Sequence, residues 1–151
     1  MSEMLLKVDN LVKKYDNFSL KNVCLGLPKG YIMGFIGQNG AGKSTTIKAI
    51  MNLIDFDGGR IEIFGLDNRK YCNEIRNRIG YVSEEQYFYD DMTVEWTGNF
   101  IGSFYSKWDD GYFRKLMGQF NLDGKKKIKE LSKGMKVKLS LALALGQRPE
   151  L

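Results

Sequence analysis

Gly37-Gln-Asn-Gly-Ala-Gly-Lys-Ser44 matches G-x-x-x-x-G-K-[ST] in full, a pattern whose chemistry is the holding of a polyphosphate. At average residue frequencies a chance match somewhere in a chain of this length is roughly a one-in-a-few-hundred event. Gly37, Gly40 and Gly42 let the backbone take turns closed to side chains and come close to phosphate oxygens. The loop N–H groups, Asn39 and Ala41 among them, then face the anion together with the N-terminus of the helix that follows. Lys43 reaches the β- and γ-phosphates, Ser44 supplies a hydroxyl to Mg²⁺, and Thr45 is placed to touch the α-phosphate. A glycine-rich turn that binds nothing is the plainer reading, and it leaves the lysine and serine as coincidences. A dinucleotide fingerprint fails, because Thr45 stands where its third glycine belongs.

Such a loop needs a strand to enter it and a helix to leave it. Tyr31-Ile-Met-Gly-Phe-Ile36 is a nearly continuous apolar run, which predicts a strand covered on both faces as in a parallel sheet. Ile47, Ile50, Met51 and Ile54 fall at i, i+3, i+4 and i+7, one face of a helix. Upstream, Leu5, Val8 and Leu11-Val12 predict one strand and Phe18, Leu20, Val23 and Leu25 another, with Asp16-Asn17 as the turn between them. Pro28-Lys-Gly30 punctuates, and Asp57-Gly-Gly59 turns the chain into a strand over Arg60–Phe64. Ile79–Val82 predicts another short strand. From Asp91 to about Asn121 the pattern is helical. Thr93 is a predicted N-cap with Glu95 in the first turn, and Val94, Thr97, Ile101 and Phe104 share a face. Asp109 or Asp110 caps a second helix carrying Phe113, Leu116, Met117 and Phe120, which Asn121-Leu-Asp-Gly124 ends. Val137–Leu145 predicts a last apolar helix.

The 151 residues suit one domain with a sizeable core, and 43% hydrophobic residues make the composition globular. A net charge of +5 suits an anionic ligand such as a nucleotide, as it does many plain soluble proteins. Cys24 and Cys72 lack metal-type spacing and make no disulfide framework, so a reducing, cytosolic setting is expected. The absence of histidine excludes a His-based triad, metal site or general base among these residues. The start of the chain is not a signal peptide, and Leu139–Leu145 is too short to span a bilayer, so any membrane link is expected through a partner.

With the loop in hand, other segments fall into place. Asn39-Gly-Ala-Gly-Lys-Ser-Thr-Thr46 resembles the ABC ATPase version of the loop. Leu131-Ser-Lys-Gly-Met-Lys136 resembles the ABC signature, usually L-S-G-G-Q, and leads straight into the apolar helix. Ile79-Gly-Tyr-Val-Ser-Glu-Glu85 resembles the strand and Q-loop, and Tyr15 lies where the family stacks adenine on an aromatic ring. These four motifs stand in the family's order over nearly the whole chain, which is most similar to ATP-binding subunits of type-two exporters.

The resemblance implies an α/β fold: a P-loop NTPase-type parallel sheet core with an N-terminal antiparallel β subdomain (about 1–30 and 59–66) and an α-helical insert (about 85–130). The phosphate-loop unit covers about 31–56, and the signature segment with its helix 131–147. ATP and Mg²⁺ are the implied cofactors. Ser44 and Glu84, at the Q-loop position, are the implied metal-facing residues. Ser132 and Gly134 would act on the γ-phosphate of ATP held by a second ATP-binding subunit. A membrane-spanning permease subunit is the other implied partner, placing the chain in the cytoplasm at the inner face of the cell membrane.

Three positions depart from the family pattern. Lys133 replaces the first signature glycine, Met135 the glutamine, and Glu84 the Q-loop glutamine. Glutamate keeps an oxygen for Mg²⁺ or water with altered charge. Each motif also has a plainer role: Tyr15 as a strand residue, Ser132 as an N-cap, Glu84 as a surface acid. Tyr87-Phe-Tyr89 is either half core or part of the groove that receives the membrane subunit. Lys125-Lys-Lys127, Lys129, Lys133, Lys136 and Lys138 read as a solvated basic face. No aromatic stacking platform is interleaved with them, and nucleic acid is not expected as a partner.

In the family, a strand following Leu151 ends in an aspartate supporting Mg²⁺ and a glutamate polarising the attacking water, and a later histidine contacts the γ-phosphate. None of these is among the 151 residues, so they are expected to bind ATP without hydrolysing it, hydrolysis belonging to the full-length parent. The unpaired sheet edge predicts destabilisation, self-association or completion by another chain. The alternatives are a binding-only nucleotide module and a soluble ABC-type ATPase without a membrane partner.

Overall fold

The computed structural model describes residues 3–151, and the chain splits into two compact units, Met1–Arg76 and Asn77–Leu151. In the first, β1 (Met4–Tyr15) and β2 (Phe18–Pro28) form an antiparallel hairpin over the predicted Asp16-Asn17 turn. The phosphate loop leads into α1 (Lys43–Ile50), followed by β3 (Gly58–Ile63), β4 (Leu66–Asp67) and α2 (Cys72–Arg76). The sheet order is β2-β1-β3-β4, all antiparallel. Leu6 and Val8, and Ile61 and Ile63 across from them, alternate inward as a half-covered sheet demands, while Leu11 follows the register shift after Val8 and is buried with Leu20.

The sequence misplaced one turn. Gly58 and Gly59 open β3 instead of turning the chain. Gly59 (φ +90°) sits where the β1–β3 register shifts between Asp9 and Val12, and a Cβ there would come within 2.4 Å of the Asn10 carbonyl oxygen. The glycine pair therefore serves a bulge.

Tyr31–Ile36 forms no strand. Ile32 and Ile36 are almost fully exposed, at 101% and 95%, and no described strand runs parallel to them. Apolar content shows how a run could be buried, whereas a ladder needs a neighbour to exchange hydrogen bonds, and none of the described strands supplies one. α1 also stops at Ile50, short of Ile54. It buries Thr46 and Ala49 and leaves Ile47 exposed.

The second unit is helical: α3 (Val94–Gly102), α4 (Asp110–Gln119), a 3₁₀ turn (Ile128–Glu130) and α5 (Lys133–Gly146). Thr93 caps α3 by accepting from the Trp96 N–H at 3.1 Å, and Asp109, not Asp110, caps α4 by accepting from Tyr112 N–H at 2.8 Å. Val94, Phe113, Leu116, Leu122, Ile128, Leu139, Ala142 and Leu143 make its core. Phe104 leaves the predicted α3 face and is exposed. Ile79–Val82 is not a strand. Two backbone bonds of 2.8 Å join that region to the chain's last residues, Glu150 N–H to Arg78 and Gly80 N–H to Leu151. Among the described residues no helix is long and apolar enough to cross a membrane.

Candidate functional site

The phosphate loop is open to solvent from Gly37 to Ala41. Gly40 and Gly42 take positive φ, +82° and +91°, so the left-handed turns the motif needs are formed. Gly42 is the N-cap of α1, and the helix opens with a 2.8 Å bond from Thr46 N–H to the Gly42 carbonyl. The Lys43 ammonium arches over the loop and donates to the Gly37 and Gln38 carbonyls at 2.6 and 2.7 Å. A strongly hydrated cation is thus parked on the loop, where phosphate oxygens could exchange for those carbonyls. Ser44 is exposed at the start of α1, and Thr45 is half-buried beside it.

Gly42 also fixes the loop to the sheet. A Cβ there would lie 2.2 Å from Leu20 Cδ2 and 2.8 Å from Phe18 Cζ. Phe18 in turn stacks on Tyr15, ring centroids 6.4 Å apart. Tyr15 is 48% exposed, with the Lys13 ammonium 5.2 Å from its ring. An accessible aromatic face therefore lies two contacts from the loop. Phe18 and its link to Gly42 were missed by the sequence, since a contact across so many residues leaves no local pattern.

In the second unit Glu84, Glu85, Gln86 and Tyr87 line a cleft of about 440 Å³ with Leu131, Lys133, Lys136 and Val137. The Q-loop segment and the start of the signature helix therefore share one concavity. Ser132 caps α5, accepting from Met135 N–H at 3.2 Å, and Ser132 and Gly134 are exposed. Lys133 opens a helix with no acid in its first turn. Glu84 is exposed, while Gln86 is the half-buried residue of the segment, with its amide oxygen accepting from Ser140 and its amide N–H donating to the Ser83 carbonyl. Glu85 accepts from the Tyr87 hydroxyl, which holds that phenol above its ordinary range. Tyr15 and the loop lie in one unit, and Glu84, Ser132 and Gly134 in the other.

The basic cluster is partly paired: Lys129 contacts Asp91 at 2.6 Å and Lys136 contacts Asp90 at 3.0 Å. Of Tyr87-Phe-Tyr89, Phe88 packs on the core, while Tyr87 and Tyr89 are 84% and 63% exposed. Tyr89 joins an outward aromatic row that runs along α3 and just past its end: Trp96 and Phe100 stack at 4.9 Å, and Phe104 meets Phe100 edge-on at 5.2 Å.

A family model described as ABC transporter matches residues 20–151. The chain belongs to the ABC transporter family. Its relatives include the ABC transporter ATP-binding protein YtrB of Bacillus subtilis, 34% identical over 97% of this chain and 50% of that protein. The bacitracin transport ATP-binding protein BcrA of Bacillus licheniformis is 35% identical over 97% of this chain and 49% of that one. The chain thus spans about half the length of these relatives. A solved structure of the ATP-binding subunit of an ABC transporter superimposes with a TM-score of 0.85 at 29% identity, over 96% of this chain and 63% of the other. The family is one of ATP-binding proteins, and its α/β fold agrees with the antiparallel sheet and helices found here.

Among the described residues no three His, Cys, Asp or Glu side chains gather to hold a metal. Magnesium asks little of the protein, since phosphates and water fill most of its shell. An exposed Ser44 hydroxyl beside the loop fits that modest role.

Proposed function

We propose that residues 1–151 are the ATP-holding part of an ATP-binding subunit of an ABC transporter of exporter type. The observation that carries this is the formed loop: positive-φ Gly40 and Gly42 open α1, and Lys43 is folded onto the loop carbonyls. Gly37, Asn39, Gly40, Ala41, Gly42 and Lys43 would take the phosphates with Thr45, Tyr15 the adenine, and Ser44 with Glu84 the Mg²⁺. Ser132 and Gly134 would act across a dimer on the nucleotide of a second ATP-binding subunit. Magnesium would neutralise phosphate charge during transfer.

The longer protein would couple ATP hydrolysis to transport. The metal-supporting aspartate and water-polarising glutamate of the family are not among these residues, which would bind ATP without turning it over. The exposed row Tyr89, Trp96, Phe100 and Phe104 supports docking of a membrane-spanning permease subunit, since contiguous exposed aromatics mark interaction surfaces. The chain would then sit in the cytoplasm, at the inner face of the membrane through that partner. A resistance role in a relative's name, linearmycin resistance, favours the exporter class.

The deciding experiment is Mg-ATP binding by the purified chain, with phosphate release followed in the same samples and Lys43→Ala beside it. Saturable binding that weakens at least about tenfold in the variant, with no phosphate released, is expected from loss of a charge-assisted contact. A folded chain that binds no Mg-ATP would overturn the reading.

A further inference from the structure

We infer that Asn68 is a positioning residue for the phosphate loop: its buried amide pins the far end of α1, so that the near end stays aimed at the phosphates. The inference rests on the proposed ATP role of that loop. Asn68 is 1% exposed, and its Nδ2 donates to the carbonyls of Ala49 and Ile50 at 2.9 and 3.2 Å. Those residues close α1. The Ile47 carbonyl accepts from Met51 N–H and the Lys48 carbonyl from Leu53 N–H, both at 2.9 Å, while Ala49 also accepts from Asn52 N–H at 3.0 Å. The carbonyl that the chain's own turn leaves over, that of Ile50, goes to Asn68. Asn68 is itself tied to the sheet, its N–H donating to the Ile61 carbonyl at 3.1 Å. The sheet and the last turn of the phosphate helix are therefore joined by one side chain.

Two features separate this from ordinary packing. α1 has only eight residues and is marginal by itself, so its orientation depends on the contacts that hold its ends. The amide oxygen of Asn68 has no hydrogen-bond partner among the described residues, although it is buried. A leucine of similar size would avoid that penalty, so the donor pair is what the amide contributes. The helix presents Lys43, Ser44 and Thr45 at its other end, and any tilt of its axis moves the N–H groups that face the ligand.

The test compares Asn68→Leu, which keeps the volume and removes the donors, with Ile63→Val, a core change in the same unit that touches neither Asn68's bonds nor an α1 carbonyl. Mg-ATP affinity of the full chain is measured where circular dichroism shows each variant folded, and melting temperature is recorded separately. Asn68→Leu is expected to weaken Mg-ATP about fivefold, an effect the size of one net hydrogen bond, while Ile63→Val lowers the melting temperature and leaves affinity unchanged. Affinity unchanged in Asn68→Leu, or lost equally in Ile63→Val, would overturn the inference. Should Asn68→Leu not fold, amide exchange on the unsubstituted chain decides. Mg-ATP must then slow exchange at Met51–Leu53 as well as at Lys43–Thr46, and protection confined to the loop end refutes the pinning. No Mg-ATP binding by the unsubstituted chain would overturn the ATP reading, and this inference with it.

Discussion

Gly42→Ala tests the geometry of the loop against a control that the same loop provides. At Gly42 (φ +91°) an added methyl group meets Leu20 Cδ2 at 2.2 Å and Phe18 Cζ at 2.8 Å, whereas at Gly40 (φ +82°) nothing lies within 4 Å. Both variants incur the left-handed strain of an L-residue, about 1 kcal/mol. Only Gly42→Ala adds overpacking, about 1–3 kcal/mol. Leu20 is 4% exposed and has little room to yield, and half-buried Phe18 can give way only by disturbing its stack on Tyr15. The expected losses are about 2–4 kcal/mol for Gly42→Ala and about 1 kcal/mol for Gly40→Ala. Both tryptophans, Trp96 and Trp108, lie in the second unit and report on it alone. Denaturant dependence of amide exchange at Leu6, Val8 and Leu11 of β1 is the assay that reads the first. Gly42→Ala should also weaken Mg-ATP the more, because relieving the clash displaces the first turn of α1. Equal destabilisation by the two substitutions would refute the claim that Gly42 is closed by Leu20 and Phe18.

Ser132→Ala removes the cap of α5 and should cost about 1 kcal/mol of the second unit's stability, read by tryptophan fluorescence in urea, while Ser132→Gly should cost only about a few tenths. Glu150 supplies a pH test. Hydrogen bonding to Arg78 first, opposed by burial, and then Lys107, hold its carboxyl down from 4.5 to about 2. Its folded-state value is depressed, so its contribution to stability is present above the unfolded value near 4.5 and is lost as pH falls through about 2. The melting-temperature gap between the unsubstituted chain and Glu150→Gln should therefore narrow across that window, and a gap independent of pH would contradict the Arg78 pairing. The exposed run containing Ile32 and Ile36 should drive self-association. Ile32→Lys with Ile36→Lys should lower the sedimentation-average mass at high concentration and reduce binding of an apolar dye, with no change in the β1–β2 hairpin.

Local signals were legible from the residues alone. The β1–β2 hairpin, the Thr93 cap and the Ser132 cap follow from alternation, turn chemistry and short-range hydrogen bonding, which a window of a few residues contains. The glycine-lysine loop was equally plain, because only glycine takes those turns without strain and only that spacing sets Lys43 on the loop. What the sequence could not decide was anything that depends on a distant neighbour. Tyr31–Ile36 has the composition of a buried strand and is no strand here, because composition does not supply a ladder partner. The glycine pair before Arg60 reads as a turn and serves a bulge, because Asn10 lies across from it. Asn68 carries no local signal and becomes the tie between sheet and phosphate helix, and Phe18 reads as a strand residue and closes on Gly42. Sequence determined which groups could hold a phosphate, since that is a property of residue type and spacing. Tertiary structure decided what holds those groups in place, since close contact between residues far apart in the chain exists only after folding.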